Sequence, residues 1–346
     1  MDKLKPKDDA NAHLRKQDHI NLAFQSQILS GQLDSRFFYE PMLAAHPDDS
    51  IDIGLDFLNK KMKAPIWVSS MTGGANKAKV INQNLAKAAK EFGLGMGLGS
   101  CRHLLYSDEH FADFDLRKII GDQPFYANLG IAQVAHEIKN GSLYKIKEML
   151  QKLQVDGLII HVNPLQEWIQ PEGDVITQKP IDTIKRFIDS EPDISLIVKE
   201  VGQGFGPKSL EALLKLPLAA IDFGAAGGTN FSQLEMLRNS VKTQEIIAPL
   251  AKIGHHAQEM LDWTIEILNQ PDSRPNPMSL IISGGIQNYI DGYYLVEQSP
   301  LKAIYGQASK FLRHAQGDYE NIQKFVSSQV DGYRLAKSLL TIKPKT

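Results

Sequence analysis

The sequence predicts an α/β fold, a closed (β/α)8 barrel, known as a TIM barrel, with an N-terminal extension. Three observations predict it. Short apolar runs recur eight times, each leads into glycine or polar residues, and segments of helical periodicity lie between them. Runs too short for helices and without alternating polarity suit parallel strands buried on both faces. Eight such alternations favour a closed barrel over an open doubly wound sheet.

The runs are APIWVSS (64–70), FGLGMGLGS (92–100), QPFYANLG (123–130), VDGLIIHVN (155–163), DISLIVKEVG (193–202), PLAAIDFGAAGG (217–228), MSLIISGG (278–285) and LKAIYGQA (301–308). Between them, AKVINQNLAKAAKEF (78–92) has helical spacing that gathers Val80, Leu85, Ala88 and Ala89 on one side. Residues 131–153 read as one or two helices, broken near Asn140-Gly141, and IDTIKRFIDS (181–190) and PKSLEALLKL (207–216) continue the alternation. The longest connection, 230–277, holds a helical stretch and the loop NQPDSRPNP (269–277). Residues 1–60 read as a partly helical extension that packs on or lids the barrel, and 61–346 as the barrel itself.

Composition narrows the function classes. The chain is 346 residues long, 42% hydrophobic and 23% charged, which is ordinary for a globular protein able to bury a large core. With 38 basic against 40 acidic residues there is no global basic field for nucleic acid, so any anion site is local. The single cysteine, Cys101, precludes an internal disulfide and fits a reducing cytoplasm. The start, MDKLKPKDDANAHLRKQDH, lacks the apolar core of a secretory signal, and no window reaches the roughly 18 apolar residues of a membrane span. The expectation is a cytoplasmic protein without membrane or nucleic-acid partners.

In a barrel of this kind the strand C-termini and the loops after them form the functional rim, and the unusual residues gather there. Lys199 ends the fifth run, either as a snorkelling edge residue or as the cation balancing a ligand's buried anion. Glycine turns follow the first, sixth and seventh runs: MTGG (71–74), GAAGGT (224–229) and SGGI (283–286). Each alone reads as a tight turn. Together with YGQA after the eighth strand they predict a phosphate cradle, where backbone N–H groups approach an oxyanion. None has Walker-loop spacing, and GLGMGLGS lacks the acidic residue a dinucleotide fingerprint needs. GLGSCRH (97–103) puts Ser100, Arg102 and His103 at the same mouth, with Arg102 a surface charge or a fork for diphosphate. Asn128 offers an amide to a planar heteroaromatic ligand. LRKQDHI (14–20) supplies Arg15, Lys16 and His19, as a solvated helix face or as part of a lid.

The fourth run ends in HVNPLQEWIQPEGD (161–174). His161 and Asn163 lie two apart on a strand and share a face. Pro164 stops the ladder, and Gln166 and Glu167 fall on the loop above. One glutamate suits magnesium, which takes few protein carboxylates and completes its shell with water and phosphate oxygens. No paired Cys or HxxxH accompanies it, which argues against zinc.

These residues together resemble type 2 isopentenyl-diphosphate isomerase, a flavoprotein family with an FMN-binding barrel. The resemblance runs from Arg15 to about Leu312. HVNPLQEWIQPEGD is its strongest element, and RKQDH (15–19), SMTGG (70–74), GLGS-R (97–102), ANLG (127–130), KEVGQG (199–204), GGTNF (227–231) and SGGI (283–286) accompany it in the family's order. The resemblance implies interconversion of isopentenyl and dimethylallyl diphosphate, using reduced FMN, NADPH and Mg2+, by a homo-oligomer (a tetramer or octamer). It implies that Arg15, Lys16, Ser100, Arg102 and Gln166 contact the substrate, and that His161, Asn163 and Gln166 serve the chemistry. Glu167 would hold Mg2+. Ser70, Met71, Thr72, Ser100, Asn128, Lys199, Thr229, Gly284, Gly285, Gln307 and Ala308 would line FMN. Three positions depart from the family's pattern. Cys101 stands where it has Gln, Gln287 where it has Arg, and His255-His256 where it has Ile-Pro. Cys101, beside the mouth, is a candidate for thiol sensitivity.

Overall fold

The computed structural model describes residues 12–47, 51–69, 72, 77–238, 241–271 and 275–344. Two compact units divide the chain, one of residues 1–40 with 340–346 and one of 41–339. In the first, the helix Ala12–Leu22 precedes β1 (Phe37–Tyr39), which pairs antiparallel with the last strand, Leu340–Ile342.

The second unit opens with a hairpin of β2 (Leu55–Phe57) and β3 (Lys60–Met62). The barrel follows: β4 (Ile66–Val68), β5 (Gly95–Ser100), β6 (Phe125–Gly130), β7 (Gly157–Val162), β8 (Leu196–Glu200), β9 (Ala220–Asp222), β10 (Ser279–Ser283) and β11 (Ala303–Gln307). Each strand pairs in parallel with its sequence neighbour, and β11 returns to pair with β4, closing the ring. Every one of the eight apolar runs contains one strand. β9 is short because the chain leaves the ladder just beyond it, turning at Gly224 (φ +51°).

The helices follow from local sequence. Pro164, Pro180 and Pro207 each start one, where a missing N–H costs nothing. The stretch 131–153 splits into Ile131–Lys139 and Tyr144–Leu153, with Gly141 at φ +63° between them, as Asn140-Gly141 predicts. Ala78–Phe92 buries Ala78, Ile81, Leu85, Ala88 and Ala89, whereas Val80 is exposed. The buried stripe is i, i+3, i+7, i+10, i+11, which passes Val80 by. The long connection 230–277 holds three helices rather than one stretch. Ala257–Leu268 returns to the barrel wall, burying Met260, Leu261 and Thr264, while Phe231–Arg238 and Val241–Ala251 pack on each other and, through Ile169, Ile247 and Ala251, on the loop after β7.

Inside the ring, Trp67, Tyr126, Ile159, Ile197, Ala220, Ile281 and Ile304 form one apolar layer, joined by Phe57 and Met62 of the hairpin. Trp67 is fully buried, with its ring 6.4 Å from Phe57 and 6.1 Å from Tyr126. Gly95 permits this, since a Cβ there would lie 2.3 Å from the indole. Trp67→Ala leaves a cavity that rigid strands cannot collapse, and is expected to cost roughly 3–5 kcal/mol of unfolding free energy in denaturant melts.

Candidate active site

Side chains alternate along a strand, so two residues beyond the apolar layer the next interior layer begins. It consists of Ser69, Asn128, His161, Lys199, Asp222, Ser283 and Gly306, polar on every strand but β5 and β11. Contacts tie the layer together. His161 Nδ1–H donates to Asn128 Oδ1 at 2.7 Å, and Lys199 Nζ lies 3.3 Å from Asp222 Oδ2. The Ser283 hydroxyl donates to Asp222 Oδ1 and accepts from the Gly224 amide at 2.9 Å. Polar groups in such a position are stable only when satisfied, by one another or by a ligand.

Burial, and then the charge of Lys199, push the His161 imidazole down to about 4. The ring is therefore neutral at physiological pH, with its Nδ1 proton committed to Asn128 and Nε2 left as an acceptor. Glu200, outward on β8, takes the amides of Gly202, Gln203 and Gly204 on one oxygen, at 2.6–2.7 Å. Burial raises its carboxyl against the pull of those amides, and its role is to shape the loop.

Above the polar layer, a cleft is lined by Ser69, Lys199, the 224–229 turn, the 283–287 turn and Gln307 to Lys310. The two turns meet closely. Gly284 sits at φ +91°, and a Cβ on it would lie 2.0 Å from Ala225 O; one on Gly227 would lie 3.1 Å from Gly285 Cα. Among the described residues, Ser69 Oγ and Gln307 Oε1 are buried in this cleft without hydrogen-bond partners. Glycine turns, orphaned polar atoms and a lysine suit a phosphorylated cofactor of flavin type. Gln287 leaves the cleft without the arginine of the family pattern, but Lys310 lines it and donates to the Gln287 carbonyl.

A second polar group follows β7, where Gln166 and Glu167, expected on a loop, lie instead on the short helix Pro164–Ile169 that Pro164 starts. Asn163, just past the strand, donates from Nδ2 to Gln166 Oε1 (3.0 Å) and Glu167 Oε1 (3.1 Å), while its own Oδ1 is buried without a partner among the described residues. Glu167 Oε2 accepts from the Asp174 amide at 2.8 Å. Glu167 is buried, and beside it stands an unsatisfied amide oxygen, a donor set that fits magnesium better than softer metals. Among the described residues no group of three or more His, Cys, Asp or Glu is arranged around a metal position. Gln166 and Gln170 both donate to Glu235 Oε1, at 3.5 and 2.8 Å, which joins the insertion helix Phe231–Arg238 to this loop.

Sequence expectations distribute as follows. Asn128, His161 and Lys199 lie in the polar layer, Asn163, Gln166 and Glu167 are joined to one another just after β7, and Lys199, Thr229, Gly284, Gly285, Gln307 and Ala308 line the cleft. Thr72 donates to Asn82 Oδ1 at 2.5 Å. Ser100 is exposed at the end of β5, and the exposed Arg102 pairs with Asp174 at 3.1 Å. Arg15 and Lys16 are exposed on the helix of the other unit, and Ser70 and Met71 lie outside the described residues. Cys101 is a correction: its thiol is wholly buried, bonded to Gly99 O, and pushed up to about 12 by burial. A register shift between Gly97 and Ser100 breaks the alternation and turns Cys101 inward. His255 packs edge-on to Trp263, and the His256 amide caps onto Glu259, so this pair shapes a helix start. Sequence reading missed Ser69, Asp222, Ser283 and Glu235. For Asp222 a signal existed, a lone charge within the apolar run AAIDFG.

A closed parallel barrel with a charged, glycine-lined mouth at its strand C-termini defines a (β/α)8-barrel enzyme. No protein-family model matches the chain. It is 34% identical over 307 residues to isopentenyl-diphosphate delta-isomerase of Rickettsia prowazekii, covering 87% of this chain and 85% of that protein. To the enzyme of the same name from Rickettsia akari it is 32% identical over 316 residues, covering 90% and 88%. The chain belongs to the isopentenyl-diphosphate delta-isomerase family. Solved structures share the fold at low identity. A flavocytochrome b2 variant with benzoylformate superposes with TM-score 0.61 at 14% identity, over 88% of this chain and 72% of that one. A mandelate oxidase variant with an FMN adduct gives 0.55 at 12%, over 90% and 88%.

Two outcomes follow from this geometry. The unfolded chain takes up a proton at His161 near its ordinary pH 6.5, but the folded one only near 4, so His161 subtracts stability as pH falls through that window. His161→Gln is expected to flatten that part of the stability-against-pH curve. Cys101 is expected to resist iodoacetamide in the native protein at pH 8 and to react fully in denaturant, read by mass spectrometry.

Proposed function

We propose that the chain interconverts isopentenyl and dimethylallyl diphosphate by moving one allylic proton, with FMN kept reduced by NADPH and with Mg2+ on the diphosphate. The observation that carries this reading is the placement, at the strand C-termini of one barrel, of a glycine cradle after β9 and β10 and of the bonded group Asn163, Gln166 and Glu167 after β7. One binds a phosphorylated cofactor and the other a metal-bridged anion.

Reduced FMN, when bound, supplies an electron-rich ring that stabilises positive charge developing at the alkene's tertiary carbon. The rest falls to the chain's residues. Lys199, which lines the cleft, would place its cation toward the bound cofactor and favour the anionic form of the reduced ring. Gln307 and the 284–285 turn offer polar groups to the cofactor, Ser69 offers its hydroxyl, and Thr229 and Ala308 close the walls. Glu167 binds Mg2+, joined by the free oxygen of Asn163. His161, neutral and fixed by Asn128, holds the substrate's surroundings without adding charge. Gln166 lies beside the hydrocarbon, and the buried Glu235 is the acid next to it. Arg102 exchanges Asp174 for the diphosphate, with the exposed Ser100 hydroxyl two residues before it. The cytoplasmic setting and the homo-oligomeric assembly belong to the same reading and rest on the family resemblance.

Purified protein is expected to release FMN on denaturation and, under argon with NADPH and Mg2+, to convert one diphosphate into the other without net electron consumption. No turnover under those conditions would sink the assignment. Glu167→Gln is expected to lower turnover by roughly 100-fold or more while FMN stays bound. If turnover of the wild type is unchanged across a Mg2+ titration from chelated to saturating, the metal role is wrong.

A further inference from the structure

We infer that Asp222, held by Ser283, is a positioning residue that sets how much of the Lys199 positive charge reaches the flavin, and so tunes the cofactor's reduction potential. This rests on the FMN reading above.

Asp222 is fully buried at the end of β9, and a carboxylate there is stable only against a partner charge and hydrogen bonds. Both are present. Oδ2 faces Lys199 Nζ at 3.3 Å, and Oδ1 takes the Ser283 hydroxyl. That hydroxyl has one orientation available. Its oxygen already accepts from the Gly224 amide at 2.9 Å, so its hydrogen goes to Asp222. The register places Lys199 beside Asp222 on paired strands, which fixes the pair from the backbone upward.

The electrostatic consequence has a sign. An isolated lysine at this mouth would present a full positive charge to the cleft. Paired with Asp222 it presents a dipole, since opposite charges at this separation offset each other in a low dielectric. Reduction of a flavin to its anionic form adds negative charge next to that dipole. Asp222 therefore holds the potential below the value Lys199 alone would set. Ser283 acts one step further out. By donating to Asp222 it draws part of the carboxylate's charge away from the lysine.

The test is the midpoint potential of bound FMN, with the dissociation constants of oxidised and reduced FMN measured on the same proteins. Asp222→Asn keeps an oxygen for Ser283 and removes the charge. It is expected to raise the potential, with the ratio of the two dissociation constants changing by about tenfold, which is about 30 mV for a two-electron couple. Lys199→Met is expected to lower it. Ser283→Ala, which keeps both charges, is expected to lower it by less. General loosening of the site would weaken FMN in both oxidation states together and leave the potential in place. An unchanged or lowered potential in Asp222→Asn overturns the inference, as does a rise in Ser283→Ala. If Asp222→Asn does not fold, the sign of the Ser283→Ala shift decides. Wild-type protein that binds no FMN removes the cofactor reading and this inference with it, whereas bound FMN that responds to Lys199→Met alone removes only the role of Asp222.

Discussion

The bore of an eight-stranded barrel has room for side chains and little else, and every strand must fill it with every second residue. That constraint orders the rest of the molecule. One layer is met by Trp67, Tyr126 and a ring of isoleucines, which the hairpin residues Phe57 and Met62 join. The next must be closed by something compact and internally satisfied. It is closed by a bonded set, Asn128 with His161 and Lys199 with Asp222 and Ser283, so that the floor of the site and the roof of the core are the same layer. Chemistry here is not attached to the fold from outside. It begins where the apolar filling of the bore ends.

That floor also explains the ionisation pattern. His161 stands on the strand beside Lys199, is pushed neutral, and spends its proton on Asn128. Lys199 retains its charge partner on the opposite side, on β9. A neutral imidazole and a compensated lysine leave the mouth less positive than its basic residues suggest. Any anion taken up there depends on cations at the rim, where water is close and the cost of carrying charge is lower.

The barrel was legible because parallel strands buried on both faces write themselves as continuous apolar runs, and Lys199 was legible because it interrupts one. Asp222 interrupts another, but it sits against Phe223 and Gly224 and merges with the turn that follows. Glu235 is invisible in sequence, since a carboxylate on a helix is ordinarily a solvated face, and only the packing of Phe231–Arg238 against the β7 loop buries it. Val80 and Cys101 show the opposite error. Val80 was placed by period and Cys101 by the motif around it, and each sits where a neighbour one residue away, or a register shift, redirects the chain. The motif 161–174 was legible as chemistry without its wiring: Asn163 proves to bridge Gln166 and Glu167, a relation that spacing does not express.

Closure of the ring has a consequence for assembly in time. β4 pairs with β11, the first barrel strand with the last, so the circle stays open until nearly the whole chain has been made. Until then both edges present unpaired backbone, and contacts of such long sequence separation form slowly. The glycine cradle is built from turns after β9 and β10 together with the end of β11, so it is among the last features to exist. A growing chain therefore carries a half-barrel without this cleft, and the cradle comes into being in the same event that closes the ring.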